Sequence, residues 1–231
     1  MKTIGLIGGI GPESTVDYYK RIVAAYQEHR KDPGYPEIIV YSARLNELMA
    51  MLENRQWDNL TDWLVEKIGA LQKAGAEFAA IGSNSPHVVF ENVKARSPLP
   101  LLSIVEETCR KAEELGLKRP GLMGIRFTME SDFYQKVFQR SGMVVVVPDE
   151  NERQFIHHKL FSEIELGVIK ESTRQELLAI VKKMKDRDSI DSLILGCTEL
   201  PLILDKDAYD IPFLNTTGIH VEAIVRYSLG D

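Results

Sequence analysis

The chain has 231 residues, of which 44% are apolar and 27% charged, enough for one large or two smaller globular domains with buried cores. Its formal net charge is −6 with no long run of like charges, which argues against nucleic acid or an anionic membrane surface as the main partner. No apolar run reaches the ~20 residues of a membrane-spanning helix, and no signal-peptide layout precedes the first predicted strand. The two cysteines do not indicate a disulfide framework. We therefore expect a soluble, cytoplasmic protein.

Short apolar runs that predict β-strands alternate with longer amphipathic segments that predict α-helices. The strands are expected at Thr3–Gly8, Glu37–Ser42, Phe78–Ser83, Gly121–Ile125, Val144–Val147 and Ser192–Cys197, with shorter ones near Leu101–Ser103 and Pro212–Leu214. The clearest helical patterns cover residues 12–30, 58–75, 104–116 and 173–186. This alternation predicts an α/β fold with mainly parallel sheets, in which ligands bind at the carboxyl ends of the strands.

The chain also shows signs of an internal duplication. The pattern that starts at Gly5 recurs 116 positions later at Gly121, and Ser83 has a counterpart 114 positions later in Cys197. Because the two offsets nearly agree, we predict two similar α/β domains related by a pseudo-twofold axis, with the active site in the cleft between them. The first would comprise residues 1–98 and a C-terminal segment of about 208–231, and the second residues 99–207.

Cys197 is the main candidate for a reactive group. It ends a predicted strand and precedes "TEL", which could open a helix whose N-terminus would lower the pKa of the thiol. Thr198 and Glu199 add a hydroxyl and a carboxylate. The alternative is a small buried residue, since free cysteines are often buried. That alternative is favoured for Cys109, which lies in the middle of a predicted helix without catalytic neighbours.

The loop after the third predicted strand is the candidate partner of Cys197. Ser83, Asn84 and Ser85 offer two hydroxyls and an amide that could hold a carboxylate, or they could simply cap a helix. His87 could point into the cleft or lie in a polar core. The turn from Gly8 to Gly11 lacks the third glycine of a dinucleotide fingerprint but suits a tight turn with exposed N–H groups.

Two polar groups on opposite sides of one cleft suit the removal of a proton from one face of a carbon and its return to the other. This is the chemistry of a racemase, which requires an acid–base group on each face and stabilisation of the charge on the carbon. The five histidines show no recognisable metal-ligand spacing, so we expect no metal.

Several motifs carry a family resemblance that covers almost the whole chain. They are "TIGLIGGIGPESTVDYY", "GAEFAAIGSNSPH", "RFTMESDFY", "PDENERQFI", "LILGCTEL" and "NTTGIHVEAIV", in this order. The chain resembles the aspartate/glutamate racemase family, amino-acid racemases that use two cysteines and no pyridoxal or other cofactor. The resemblance implies that Cys197 is one catalytic base, that the protein is a homodimer with a small amino-acid substrate, and that the substrate is bound by Gly9, Gly11, Asn84, Ser85, Thr128, Thr198 and Glu199.

The chain departs from the family pattern at two places. Ser83 stands where the family has its first catalytic cysteine, and a hydroxyl is a far weaker acid than a thiol, so we expect one-sided chemistry with Ser83 as the weaker group. Glu47 and Glu165 fall near the positions where archaeal-type aspartate racemases have a basic pair, with Arg44 close by. The two glutamates could be solvated helix residues, or they could favour a neutral or cationic side chain over aspartate.

Two other readings of the sequence remain open. Related proteins with a single cysteine are decarboxylases or isomerases of small dicarboxylates, and one cysteine beside an anion pocket fits that chemistry too. The chain could also be a degenerate paralogue that binds an amino acid without turning it over, because the loss of one base is what such a protein would show.

Overall fold

The computed structural model describes residues 1–30 and 34–230; residues 31–33 and Asp231, the last residue of the predicted C-terminal segment, lie outside the described residues. The strands are β1 (Ile4–Gly8), β2 (Ile38–Ser42), β3 (Phe78–Ile81), β4 (Leu101–Leu102), β5 (Pro120–Met123), β6 (Ser192–Leu195) and β7 (Phe213–Asn215). The α-helices are α1 (Pro12–Arg30), α2 (Leu45–Glu53), α3 (Trp57–Lys73), α4 (Phe90–Arg96), α5 (Ile104–Glu114), α6 (Arg126–Glu130), α7 (Phe133–Arg140), α8 (Glu150–Ser162), α9 (Glu171–Asp188) and α10 (Thr216–Leu229), and short 3₁₀ helices lie at Ser85–Val89, Ile164–Leu166 and Leu200–Leu202.

The described chain forms two compact α/β units, as the alternation of strands and helices predicted. The first contains residues 1–107 and returns with the residues from 217 onward, and the second contains residues 108–216. Each unit has its own sheet, and all strand pairs in both sheets are parallel. None of the helices in the described ranges combines the length and apolar character needed to cross a bilayer.

The first unit is built on a four-stranded sheet in the order β2-β1-β3-β4. Strands β1 and β3 are buried along their whole length, which explains why both read as uninterrupted apolar runs. Their side chains pack with Tyr18 and Ile22 of α1 and with Ile224 of α10. The C-terminal helix therefore completes the core of the first unit although it follows the second in the chain.

The second unit has the sheet order β5-β6-β7. Its core joins β6 to α8 and α9 through Leu193, Ile156, Leu160 and Leu177 among others, and the Cys197 side chain belongs to the same cluster. The two sheets match in detail. The Gly82 N–H donates to the carbonyl of Ile7 (2.9 Å), and the Gly196 N–H donates to the carbonyl of Met123 (2.7 Å). The strand ends that carry Ser83 and Cys197 are therefore equivalent positions of one repeated unit.

The predicted strand Val144–Val147 is wrong. This segment forms only an isolated bridge at Val146 beside Gly121 of β5. Val144 and Val146 donate to the carbonyls of residues 118 and 120, and Val146 accepts from Leu122. The next hydrogen bond along the ladder would need the N–H of residue 148 as its donor, and the preceding one would need the N–H of residue 120. Both residues are prolines, which have no N–H. The ladder therefore stops after one bridge.

Candidate functional site

Cys197 lies two residues beyond the end of β6, in a loop that is largely buried. The predicted strand was too long here, because pairing ends at Leu195. The Cys197 side chain is 8% exposed, and its thiol donates to Oε2 of Glu199 at 3.0 Å. The Thr198 hydroxyl donates to the same oxygen at 2.7 Å. One carboxylate oxygen thus fixes both the thiol hydrogen and the hydroxyl next to it.

The expectation that a helix N-terminus lowers the pKa of the Cys197 thiol is wrong. The residues after it form only a three-residue 3₁₀ helix, Leu200–Leu202, which gives too few aligned peptide dipoles. Burial raises the pKa of the Cys197 thiol, and the negative charge of Glu199 and its hydrogen bond to the thiol raise it further. The thiol is therefore protonated at neutral pH in this state, and a positive charge nearby would favour its ionisation.

A second carboxylate, from Glu165, belongs to the same cluster. Glu165 lies in the 3₁₀ helix Ile164–Leu166, and one oxygen of its carboxylate, the Cys197 sulfur and an oxygen of Glu199 all lie within 4.8 Å of one another. Glu165 is exposed at the surface, but partial loss of hydration of its carboxylate and the neighbouring charge of Glu199 raise its pKa to about 7. Sequence reasoning named Glu165 only through the family resemblance and did not foresee its position beside the thiol, because the contact joins residues more than 30 positions apart.

The backbone around Cys197 is held by close packing of small residues. A Cβ atom on Gly196 would lie 2.7 Å from Cδ1 of Leu122 and 3.0 Å from the carbonyl oxygen of Met123. A Cβ on Gly124 would lie 2.9 Å from the carbonyl oxygen of Gly196. Thr128 of α6, named above as a substrate-binding residue, is fully buried and packs against both glycines. These contacts fix where the loop leaves β6.

The equivalent loop of the first unit places Ser83 two residues beyond the end of β3. Ser83 is half-buried, and Asn84 and Ser85 are buried. A 3₁₀ helix, Ser85–Val89, follows, and the Asn84 side chain makes no capping hydrogen bond to it. The Asn84 side chain therefore does not act as a helix cap. The loop consists of small polar residues at the carboxyl end of a parallel strand.

Buried ring side chains lie beneath this loop. His87 is 4% exposed, stacks on Phe90, and has no hydrogen-bond partner of good geometry at either ring nitrogen. Burial lowers the pKa of His87 to about 4, so the ring is neutral at pH 7. His220, which is fully buried, meets the Tyr18 hydroxyl at Nδ1 (2.9 Å) and the Leu102 carbonyl at Nε2 (3.2 Å). His87 is therefore a buried, neutral ring beside Phe90, and whether it points into the cleft or lies in a polar core stays a prediction.

The turn between β1 and α1 uses its glycines for close packing. Gly9 has φ 76°, and a Cβ there would lie 2.3 Å from the Ala43 carbonyl oxygen, so only glycine fits. The expectation of exposed N–H groups is wrong for Gly9, because its N–H donates to the Thr15 hydroxyl at 2.8 Å. Gly11 is half-buried, with φ 96°.

Glu165 is exposed, in agreement with the alternative of a solvated residue, whereas Glu47 is partly buried and hydrogen-bonded. Its carboxylate accepts a hydrogen bond from Trp63 Nε1 at 2.9 Å and one from Arg44 at 3.4 Å. The bond from Trp63 is the main cause that lowers the pKa of Glu47. Glu47 is therefore already satisfied within the first unit, which distinguishes it from Glu165. Cys109 is buried in α5 with its sulfur 3.5 Å from the Ser141 hydroxyl.

Comparisons with known proteins find relatives along almost the whole chain. The model of the family described as Asp/Glu/hydantoin racemase matches residues 7–224. The broad specificity amino-acid racemase RacX of Bacillus subtilis is 24% identical over 96% of each chain. A crystal structure of a candidate Asp/Glu racemase from Yersinia pestis is 32% identical, with a TM-score of 0.90 over 99% of this chain and 100% of the other. An aspartate racemase homologue from Pyrococcus horikoshii OT3 is also 32% identical, with a TM-score of 0.87 over the same shares.

Proposed function

The chain belongs to the Asp/Glu/hydantoin racemase family, a family of isomerases, and we propose that it is an amino-acid racemase in which Cys197 and Ser83 exchange the Cα proton. One observation supports this assignment more than any other. The two residues occupy equivalent positions, each one residue after a glycine whose N–H bonds the neighbouring strand. Two equivalent strand ends, each carrying one acid–base group, suit a reaction that removes a proton from one face of a carbon and adds a proton to the other face.

In the proposed reaction Cys197 is the stronger acid–base group. Its thiol is protonated when the site is empty, and the ammonium of a bound amino acid would lower the pKa of the thiol by favouring the thiolate. The thiol proton then passes to Glu199, its hydrogen-bond acceptor. The thiolate takes the Cα proton, and the electron pair of the broken C–H bond stays on the substrate. The carbanion then takes a proton back from the Cys197 thiol, which restores the starting enantiomer, or takes a different proton from Ser83 or a water molecule on the opposite face, which gives the other enantiomer. Proton exchange with solvent then restores the starting protonation of both groups.

Ser83 is proposed to serve the opposite face, directly or through a water molecule. A serine hydroxyl gives up its proton far less readily than a thiol, so proton removal on this face is slow. We therefore expect the Cα proton to be removed quickly from one enantiomer and slowly from the other. Asn84 and Ser85 of the same loop are proposed to hold the α-carboxylate, together with Thr198 and the turn residues Gly9 and Gly11. Thr128 is proposed to support this site by positioning the loop, because it is fully buried.

We further propose that the reaction needs no cofactor and that the enzyme acts as a homodimer in the cytoplasm. The family membership supports these points, and size-exclusion chromatography with light scattering tests the assembly. The reaction itself is tested by exchange of the Cα proton with solvent deuterium. Exchange that disappears in Cys197→Ser supports the assignment, and its absence for every amino acid offered would overturn it.

A further inference from the structure

Glu165 and Glu199 place two carboxylates beside one thiol, and no cation of the described residues pairs with them. The three ligand atoms lie within 4.8 Å of one another. Among residues 1–30 and 34–230, no lysine, arginine or histidine forms an ion pair with either glutamate. The lysines nearest to Glu165 in the sequence, Lys159 and Lys170, pair instead with Glu163, at 2.9 and 3.1 Å.

Glu199 has partners that explain its position, whereas Glu165 does not. Glu199 accepts from the Cys197 thiol and from the Thr198 hydroxyl. The carboxylate of Glu165 is exposed and makes no hydrogen bond to any of the described residues, and the segment that carries it is held by Glu163, which accepts from Thr173 at 2.5 Å. Glu165 is therefore kept beside another carboxylate by its neighbours in the chain, and a positively charged ligand group would relieve the repulsion.

An α-amino acid has only one α-ammonium to offer to these two carboxylates. In the proposed reaction the Cα proton points at the thiol, so the α-ammonium, one bond from Cα, lies close to Glu199. The Glu165 carboxylate is then available for a second positive group. A side-chain carboxylate at that place would add a third negative charge to the cluster.

We infer that the substrate carries a cationic side chain, an ammonium or guanidinium group as in lysine, ornithine or arginine, and that Glu165 is the residue that selects it. The inference rests on the proposed racemase function and deepens it. It predicts that aspartate and glutamate are poor substrates, although the family is named for them. It also predicts that the selection weakens as the pH falls below 7, because partial loss of hydration and the charge of Glu199 raise the pKa of Glu165 to about 7, and the neutral form no longer attracts a cation.

The experiment compares lysine with glutamate, which have side chains of similar length and opposite charge. Cα-proton exchange in deuterium oxide and ligand-induced shifts of the melting temperature are measured for each amino acid in both enantiomers. The proteins are the wild type, Glu165→Gln, Glu165→Lys and the matched control Glu113→Gln, which removes an exposed glutamate of α5 in the same unit. One arm adds a chelator and another adds Zn²⁺, because a thiol and two carboxylates are also possible metal ligands.

The inference predicts that the wild type and Glu113→Gln favour lysine over glutamate by at least about tenfold, a ratio that corresponds to about 1.4 kcal/mol. Glu165→Gln should lose this preference, and Glu165→Lys should reverse it. An exchange ratio that is the same in all four proteins would overturn the role of Glu165 while leaving the racemase function intact. If no protein exchanges any proton, the racemase function fails, and the melting-temperature shifts still decide the charge preference. Exchange that is abolished by the chelator and restored by Zn²⁺ would overturn the inference in favour of a metal site.

Discussion

The thiol of Cys197 donates a hydrogen bond to the carboxylate of Glu199, with 3.0 Å between sulfur and oxygen. The pair lies in a loop that is closed on one side by the apolar core of the second unit. Burial disfavours the thiolate, and the carboxylate charge disfavours it further. The reactivity of this thiol is therefore low in the empty protein and depends on the charges brought close to it.

Replacing Glu199 with glutamine should make the Cys197 thiol more reactive. The substitution removes the negative charge and the charged acceptor, so the pKa of the thiol falls, although burial keeps it above its usual value. Each unit of pKa decrease raises the thiolate fraction about tenfold while the thiol is mostly protonated. The measurement is the alkylation rate by iodoacetamide at fixed pH, read by mass spectrometry on the Cys197 peptide. Glu113→Gln serves as the control and Cys109 as the internal reference; a rate in Glu199→Gln equal to or below that of the wild type would contradict the charge argument.

Replacing Ser83 with cysteine should make the reaction rates of the two enantiomers more nearly equal. A thiol is a stronger acid than a hydroxyl, so the enantiomer that loses its proton on the Ser83 face should react faster, by about tenfold or more, since each pKa unit gives a factor of ten. Ser83→Ala should slow that enantiomer further. The measurement is the initial exchange rate of each enantiomer separately. No gain for either enantiomer in Ser83→Cys, with the fold intact by circular dichroism, would mean that Ser83 does not face the substrate.

A methyl group at Gly196 should destabilise the second unit. The added Cβ would lie 2.7 Å from Leu122 and 3.0 Å from the Met123 carbonyl, so backbone or side chains must move. Overpacking of this kind costs about 1–3 kcal/mol. Gly69→Ala is the matched comparison, because Gly69 lies in α3 with nothing within 4 Å of its Cβ position. The Gly69→Ala substitution should raise the free energy of unfolding by about 0.5–1 kcal/mol. Urea denaturation measures both variants, and equal effects of the same sign would show that the close approach at Gly196 carries no cost.

Removing the charge of Glu165 should stabilise the protein only at neutral and alkaline pH. The pKa of Glu165 is raised from 4.5 to about 7 by partial loss of hydration and by Glu199, so between these values the folded state holds a proton that the unfolded state has lost. Because Glu165 is exposed, solvent screening keeps the effect on stability small. Stability of the wild type therefore falls as the pH rises from about 4.5 through 7. Glu165→Gln has no titrating group at this position, so its stability does not fall for this reason. The difference in melting temperature between the two proteins should be small at pH 4.5 and largest above pH 7; a difference that does not change with pH would contradict the raised pKa.

Much of the fold follows from local patterns in the sequence. Strands β1, β3 and β6 are continuous apolar runs because they are buried in parallel sheets, and α1 begins at Pro12, where a missing N–H has no cost. The offsets that relate Gly5 to Gly121 and Ser83 to Cys197 reappear as matching hydrogen bonds at Gly82 and Gly196. The position of the proposed acid–base residues after the strands was predictable for the same reason.

What could not be predicted depends on contacts between distant residues. The segment Val144–Val147 has strand-like side chains, but its pairing is limited by two prolines that become neighbours only in the fold. The pKa of Cys197 rises because of burial, which depends on the packing of the whole second unit, while the helix expected after it is only one 3₁₀ turn. The approach of Glu165 to the thiol likewise arises from tertiary structure, since the whole of α9 and β6 lies between the two residues in the sequence.

The most direct test of this account is proton NMR of amino acids in deuterium oxide with the wild type and Cys197→Ser. L- and D-lysine, glutamate, aspartate and alanine are incubated separately, and the Cα–H signal is followed over time. We expect the signal to disappear much faster from one enantiomer than from the other, with lysine the best substrate of the four, and no loss of signal with Cys197→Ser. Persistence of every Cα–H signal, or equal exchange in Cys197→Ser, would contradict the claim that Cys197 is the base of an amino-acid racemase.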